Sequence, residues 1–124
     1  MSLSGRSVLV MEDNPVLAAD LVLLLEDAGA RVIGPFRYLA EGLARLDAGL
    51  PDAALLDVEL VDGKVLPLAE RLRDGGVPFV FYSAKGSSGY EVAKTTGAPL
   101  LSKSNPSRAA IELLDDVAGG VAAD

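Results

Sequence analysis

Apolar residues fall into two kinds of run that alternate along the chain. Ser7-Val8-Leu9-Val10-Met11 is continuous and apolar and stops abruptly at Glu12-Asp13-Asn14-Pro15, which predicts a buried strand. The spacing then becomes helical, with Leu17, Leu21, Leu24, Leu25 and Ala28 on one face. Asn14 suits the N-cap of that helix, Pro15 its first position and Gly29 its end. Residues 31–34 predict a second strand, and Leu39, Leu43 and Leu46 predict a weaker helix over about 38–48, broken by Gly49-Leu50-Pro51.

Residues 52–56 predict a third strand with Asp57 at its C-terminal end. After a loop at Val61-Asp62-Gly63 comes a helix through Leu66, Leu68, Ala69 and Leu72, which tolerates Pro67 only in its first turn. Gly75-Gly76 ends it, and 77–82 predict a fourth strand stopping at Ser83. The helix over about 88–96 is the poorest, with Gly89 inside it and β-branched Val92, Thr95 and Thr96. Residues 99–102 predict a fifth strand ending at Lys103. Asn105-Pro106 then opens a last helix with Ile111, Leu114 and Val117 on one face and Gly119-Gly120 as its stop. Strands that alternate with helices and lack polar alternation of their own imply a parallel sheet covered on both faces. The expected architecture is α/β, a doubly wound open sheet of five parallel strands in the order 2-1-3-4-5.

Composition narrows this picture. The chain has 124 residues, one domain's worth, placed here at 6–119 with 1–5 as an extension or added remnant and 120–124 as a tail. Half the residues are hydrophobic, so a folded core is expected. There is no Cys and no His, which removes disulfides, thiolate zinc sites and the commonest general base. A net charge of −7 argues against direct nucleic-acid or anionic-lipid binding. The apolar runs are too short to span a membrane and no secretory signal is visible, so a cytoplasmic location is expected.

In a doubly wound sheet, ligands bind beyond the carboxyl ends of the strands. Those ends carry Glu12 and Asp13, Asp57, Ser83 and Lys103. Each has an ordinary reading: the acids at a helix N-terminus or turn, the serine as a loop starter, the lysine as a solvated charge. Together they put three acids, a hydroxyl and a lysine on one edge. Acids packed so closely repel unless a cation joins them, and without His or Cys a hard, oxygen-loving ion such as Mg²⁺ is expected. Phosphoryl transfer needs positioning and charge neutralisation more than a strong base. Asp57 is then the nucleophile toward phosphorus, with Glu12, Asp13, Asp57 and the backbone carbonyl of Glu59 as metal ligands. Lys103 would neutralise the phosphoryl oxygens and Ser83 donate a hydrogen bond to one of them.

Val8-Leu9-Val10-Met11-Glu12-Asp13, Leu55-Leu56-Asp57-Val58, Phe81-Tyr82-Ser83-Ala84 and Leu101-Ser102-Lys103 resemble the receiver domains of bacterial two-component response regulators, which have a flavodoxin-like fold. The resemblance spans about 7–117. It implies Mg²⁺-dependent, autocatalysed phosphoryl transfer to Asp57 from a phosphohistidine on a sensor kinase or phosphotransfer protein. It also implies a shift near the fourth and fifth helices that a downstream protein reads. Gly34-Pro35 and Val77-Pro78-Phe79 resemble stand-alone or kinase-linked receivers in particular.

The sequence departs from the family pattern at two places. Leu100 stands where the family usually carries the aromatic that tracks phosphorylation, and Ser104 follows the lysine where proline is usual, often after a cis bond. Glu59 and Lys85 occupy positions that tune phosphoryl lifetime in the family, and a pairing across the site is expected. The poor helix at 88–96 is the expected moving element. Two other functions fit less well: a receiver-like binding module that is never phosphorylated, and a haloacid-dehalogenase-like phosphatase. The phosphatase would place its nucleophile after the first strand and a second Asp where Glu59 stands.

Overall fold

In the computed structural model, which describes residues 3–84 and 88–122 (120–122 by backbone alone), strands and helices follow one another in the expected order. They are β1 Ser7–Met11, α1 Pro15–Asp27, β2 Arg31–Phe36, α2 Leu39–Asp47, β3 Ala53–Leu56, β4 Glu59–Leu60, β5 Gly63–Lys64, α3 Leu66–Asp74, β6 Phe79–Ser83, α4 Gly89–Thr96, β7 Leu100–Ser102 and α5 Ser107–Ala122. The main sheet runs β2-β1-β3-β6-β7, and every pairing in it is parallel. This is the expected order 2-1-3-4-5, with β6 and β7 as its fourth and fifth strands. No helix among the described residues is long and apolar enough to cross a membrane.

Strand residues alternate between two cores because successive side chains leave a pleated strand on opposite faces. Leu9, Met11, Ala54, Leu56, Phe79 and Phe81 pack with Leu46 of α2, Leu68 and Leu72 of α3 and Val92 of α4. Val8, Val10, Ala53, Leu55, Val80 and Tyr82 pack with Leu21 and Leu25 of α1 and with Ile111 and Leu114 of α5. Burying each large side chain contributes about 1.5–3 kcal/mol. Both faces are filled, which explains why no polar alternation shows in the strands.

Local signals hold where they name a physical partner. Asn14 Oδ1 accepts from the N–H groups of Val16 at 3.0 Å and Leu17 at 3.2 Å, capping α1 with Pro15 behind it. Gly42 explains why α2 can lie close on the sheet despite a weak apolar face. A Cβ there would come within 2.6 Å of both Leu68 Cδ1 and Met11 Sδ.

Four expectations need correction. The 59–64 stretch is not a plain loop but a small antiparallel ribbon, Glu59 opposite Lys64 and Leu60 opposite Gly63. Two-residue strands are too short to leave a periodic signal. The Gly119-Gly120 pair does not stop α5, which runs on to Ala122, because glycine permits a stop without requiring one. Leu3, expected in an extension outside the domain, is fully buried in the α1/α5 core and its N–H donates to Asp115 Oδ1 at 3.2 Å. The second strand extends past Gly34 to Phe36, with its register against β1 shifting between Leu9 and Met11.

Candidate functional site

Register brings the chemical residues together. Met11 pairs with Leu56, so the residues just beyond β1 and β3 emerge side by side, and Asp57 N–H donates to Met11 O at 2.8 Å. On the other flank β6 pairs with β7, Ser83 opposite Ser102, and Lys103 N–H donates to Ser83 O at 2.8 Å. The four strand ends β1, β3, β6 and β7 therefore supply Glu12 with Asp13, Asp57, Ser83 and Lys103 to one edge.

The side chains converge as well. Lys103 Nζ donates to Asp57 Oδ2 at 2.9 Å and to Glu12 Oε2 at 3.0 Å, bridging the two acids. Glu12 Oε2 also accepts from the Asn14 N–H at 3.1 Å. Carboxylate oxygens of Glu12, Asp13 and Asp57 lie within 4.8 Å of one another. Glu12 is 1% exposed, Asp57 5% and Ser83 2%, so these polar groups sit where desolvation is costly.

Burial pushes the Asp57 carboxyl up to about 7, with the Glu12 charge adding to it and the Lys103 hydrogen bond opposing. Burial likewise raises Glu12, against the pull of Lys103 and the Asn14 N–H. Burial alone would lower Lys103, but its bonds to Asp57 and Glu12 outweigh that and hold it above the usual lysine value. One ammonium thus faces three carboxylates, two of them buried. This all-oxygen donor set with excess negative charge fits a divalent cation such as Mg²⁺.

Other expected residues lie as follows. Glu59 opens the ribbon beside the site, with its side chain exposed. Leu100 opens β7, opposite Phe81 and 38% exposed. Lys85 lies outside the described residues, and so does its expected pairing with Glu59. The Lys103–Ser104 bond is trans, the cis bond among the described residues being Gly34–Pro35. The turn after Lys103 is organised by serines instead of proline. Ser104 N–H donates to Ser102 Oγ at 3.2 Å, and Asn105 N–H to Ser102 O at 3.0 Å.

Two residues near the site escape the sequence reading. Arg37 Nε donates to the backbone carbonyl of Asp13 at 3.2 Å. The Asp62 carboxylate accepts from the N–H groups of Leu39 and Ala40, at 3.1 Å for Ala40. Desolvation raises the Asp62 carboxyl, but these donors and its own N–H together outweigh that and hold it below the usual range. The Asp62-Gly63 pair signals only a turn, and nothing local reveals partners so distant in sequence.

No family profile matches the sequence. Among curated proteins, the chain is 39% identical over 66 residues to the DNA-binding transcriptional activator DevR/DosR of Mycobacterium tuberculosis, covering 52% of this chain and 30% of that protein. It is 31% identical over 83 residues to the phyllosphere-induced regulator PhyR of Methylorubrum extorquens, covering 64% of this chain and 31% of that one. The chain thus matches under a third of the length of these curated relatives.

Solved structures match almost end to end. A response regulator receiver protein from Burkholderia phymatum is 27% identical with a TM-score of 0.78, covering 92% of this chain and 95% of that one. The signal receiver domain of a modulated diguanylate cyclase from Desulfovibrio desulfuricans G20 is 25% identical with a TM-score of 0.80, covering 93% and 94%. A CheY-like receiver domain protein from Methanospirillum hungatei shares the fold at 20% identity and a TM-score of 0.81, covering 93% and 94%.

Proposed function

We propose that this chain, a receiver domain of the response-regulator kind by its fold and its sequence relatives, accepts a phosphoryl group on Asp57 from a phosphohistidine of a sensor kinase or phosphotransfer protein. The observation that carries the reading is the Lys103 ammonium bridging Asp57 and Glu12 inside a cluster of three carboxylates. Glu12, Asp13, Asp57 and the Glu59 carbonyl would hold Mg²⁺. When bound, the ion supplies positive charge that favours the ionised Asp57 and offsets charge on the phosphoryl oxygens.

An Asp57 carboxylate oxygen attacks phosphorus, the phosphorus–oxygen bond forms and the phosphorus–nitrogen bond breaks. The imidazole leaves with the bonding pair, and Asp57 becomes an acyl phosphate. Lys103, held at the Asp57 oxygen by 2.9 Å, keeps a fixed positive charge where the phosphoryl group arrives. Ser83, buried at the end of β6, donates to a phosphoryl oxygen. The new dianionic group draws the loops after β6 and β7 inward, and these lead into α4 and α5. A downstream protein reads that altered surface.

The chemistry is open to trapping. After incubation with acetyl phosphate and Mg²⁺, borohydride should reduce the acyl phosphate to homoserine, located by peptide sequencing at position 57. Homoserine at another carboxylate, or none, contradicts the assignment.

A further inference from the structure

The acids of the site ride on two separate segments: Asp13 on the connection from β1 to α1, and Asp57 with Glu59 on the stretch that becomes the β4–β5 ribbon. Both are fastened to a third, the 37–40 stretch that links β2 to α2 and opens that helix. Arg37 Nε donates to Asp13 O at 3.2 Å. Arg37 O in turn accepts from the Val61 N–H at 3.2 Å, at the tip of the ribbon. One residue on, the Asp62 carboxylate takes the N–H groups of Leu39 and Ala40. The α2 helix has no cap of its own, since Tyr38 at its N-cap position makes no side-chain bond. Asp62 caps it from the ribbon.

We infer that Arg37 and Asp62 form a clamp that holds the two acid-bearing segments in register and so preorganises the cation site, making both positioning residues. The inference rests on the reading that Glu12, Asp13 and Asp57 hold Mg²⁺. Arg37 and Asp62 are both exposed, and exposed polar contacts add little to folding. Their effect falls on geometry. A carboxylate that the protein already holds in place need not be ordered when the ion arrives, and partners behind metal ligands commonly change affinity by about 10–100-fold.

Titration calorimetry with Mg²⁺, paired with urea unfolding, separates the clamp from a merely structural role. Arg37→Ala and Asp62→Ala should each weaken Mg²⁺ binding about tenfold, the low end for exposed partners, while the urea midpoint changes little in Arg37→Ala and falls in Asp62→Ala only by the ordinary cost of a lost helix cap. Asp62→Asn retains one acceptor oxygen and should fall between wild type and Asp62→Ala, and Arg37→Lys should restore part of the loss. Leu46→Ala, a core change in α2 that touches neither bond, should lower the urea midpoint more yet leave Mg²⁺ affinity within about twofold. Alanine variants that bind Mg²⁺ as wild type does overturn the clamp while leaving the metal site standing. Affinity that simply follows stability, with Leu46→Ala as impaired as Asp62→Ala, overturns it too. A wild-type protein that binds no Mg²⁺ overturns the metal reading beneath it.

Discussion

Asp57 and Glu12 share one ammonium in a desolvated niche, and that arrangement has a measurable cost in stability. Aspartates in an unfolded chain titrate at about 3.9, whereas burial and the Glu12 charge bring Asp57 to about 7. The folded state therefore binds this proton more tightly than the unfolded one. The stability contributed by this group is fully present below about pH 4, falls as pH rises to about 7 and levels off above that. Asp57→Asn cannot ionise and escapes the loss. In chelator at about pH 8 the variant should be about 1–3 kcal/mol more stable than wild type, with the difference shrinking toward pH 4. Urea unfolding at both pH values checks this, and a difference that does not change with pH contradicts it. Saturating Mg²⁺ should restore stability to wild type at neutral pH, because a ligand that binds only the folded state stabilises it. The acid types and their strand ends were readable from sequence because a polar residue closing an apolar run is a local signal. The roles of Arg37 and Asp62 were not, because each acts on backbone groups from a remote part of the chain.

Among the elements, β2 carries the sharpest backbone constraint. Gly34 has φ +100°, and a Cβ there would sit 2.9 Å from Phe36 N and 3.0 Å from Val10 O. Those neighbours are backbone atoms that cannot swing aside. Gly34→Ala should cost about 2–4 kcal/mol, read from the urea midpoint, and a loss below about 0.5 kcal/mol contradicts this account. The sequence reading ended the second strand at this glycine, although the strand continues through Pro35 to Phe36. At the sheet edge proline is tolerated, so the breaker signal misleads there. The Asn14-Pro15 start of α1 was readable because the cap and its donors are adjacent in sequence. The α5 end was not, because helix packing over Ala118 carries the chain past two glycines.

For the molecule as a whole, two filled cores fix the sheet while α4 is held more lightly. It buries only Gly89 and Val92, its Ser88 cap makes no side-chain bond, and Thr95 and Thr96 turn their hydroxyls back to carbonyls of their own helix. Such an element opens at low cost, which is what a switch needs. On phosphorylation, amide exchange over Gly89–Thr96 should change by about tenfold or more while exchange in β1 and β3 stays within about twofold. Unchanged exchange in α4 contradicts its role as the moving element. The fold order was readable because alternation of strand and helix leaves few topologies, and the candidate residues were readable because this topology places those strand ends together. The 38% exposure of Leu100 is set by side-chain packing that periodicity does not encode. The central claim remains phosphoryl acceptance at Asp57, and intact-mass spectrometry after incubation with acetyl phosphate and Mg²⁺ tests it most directly. The account predicts a gain of about 80 Da, the mass of one phosphoryl group, that depends on Mg²⁺ and vanishes in Asp57→Asn. No gain in wild type, or the same gain in Asp57→Asn, would contradict it.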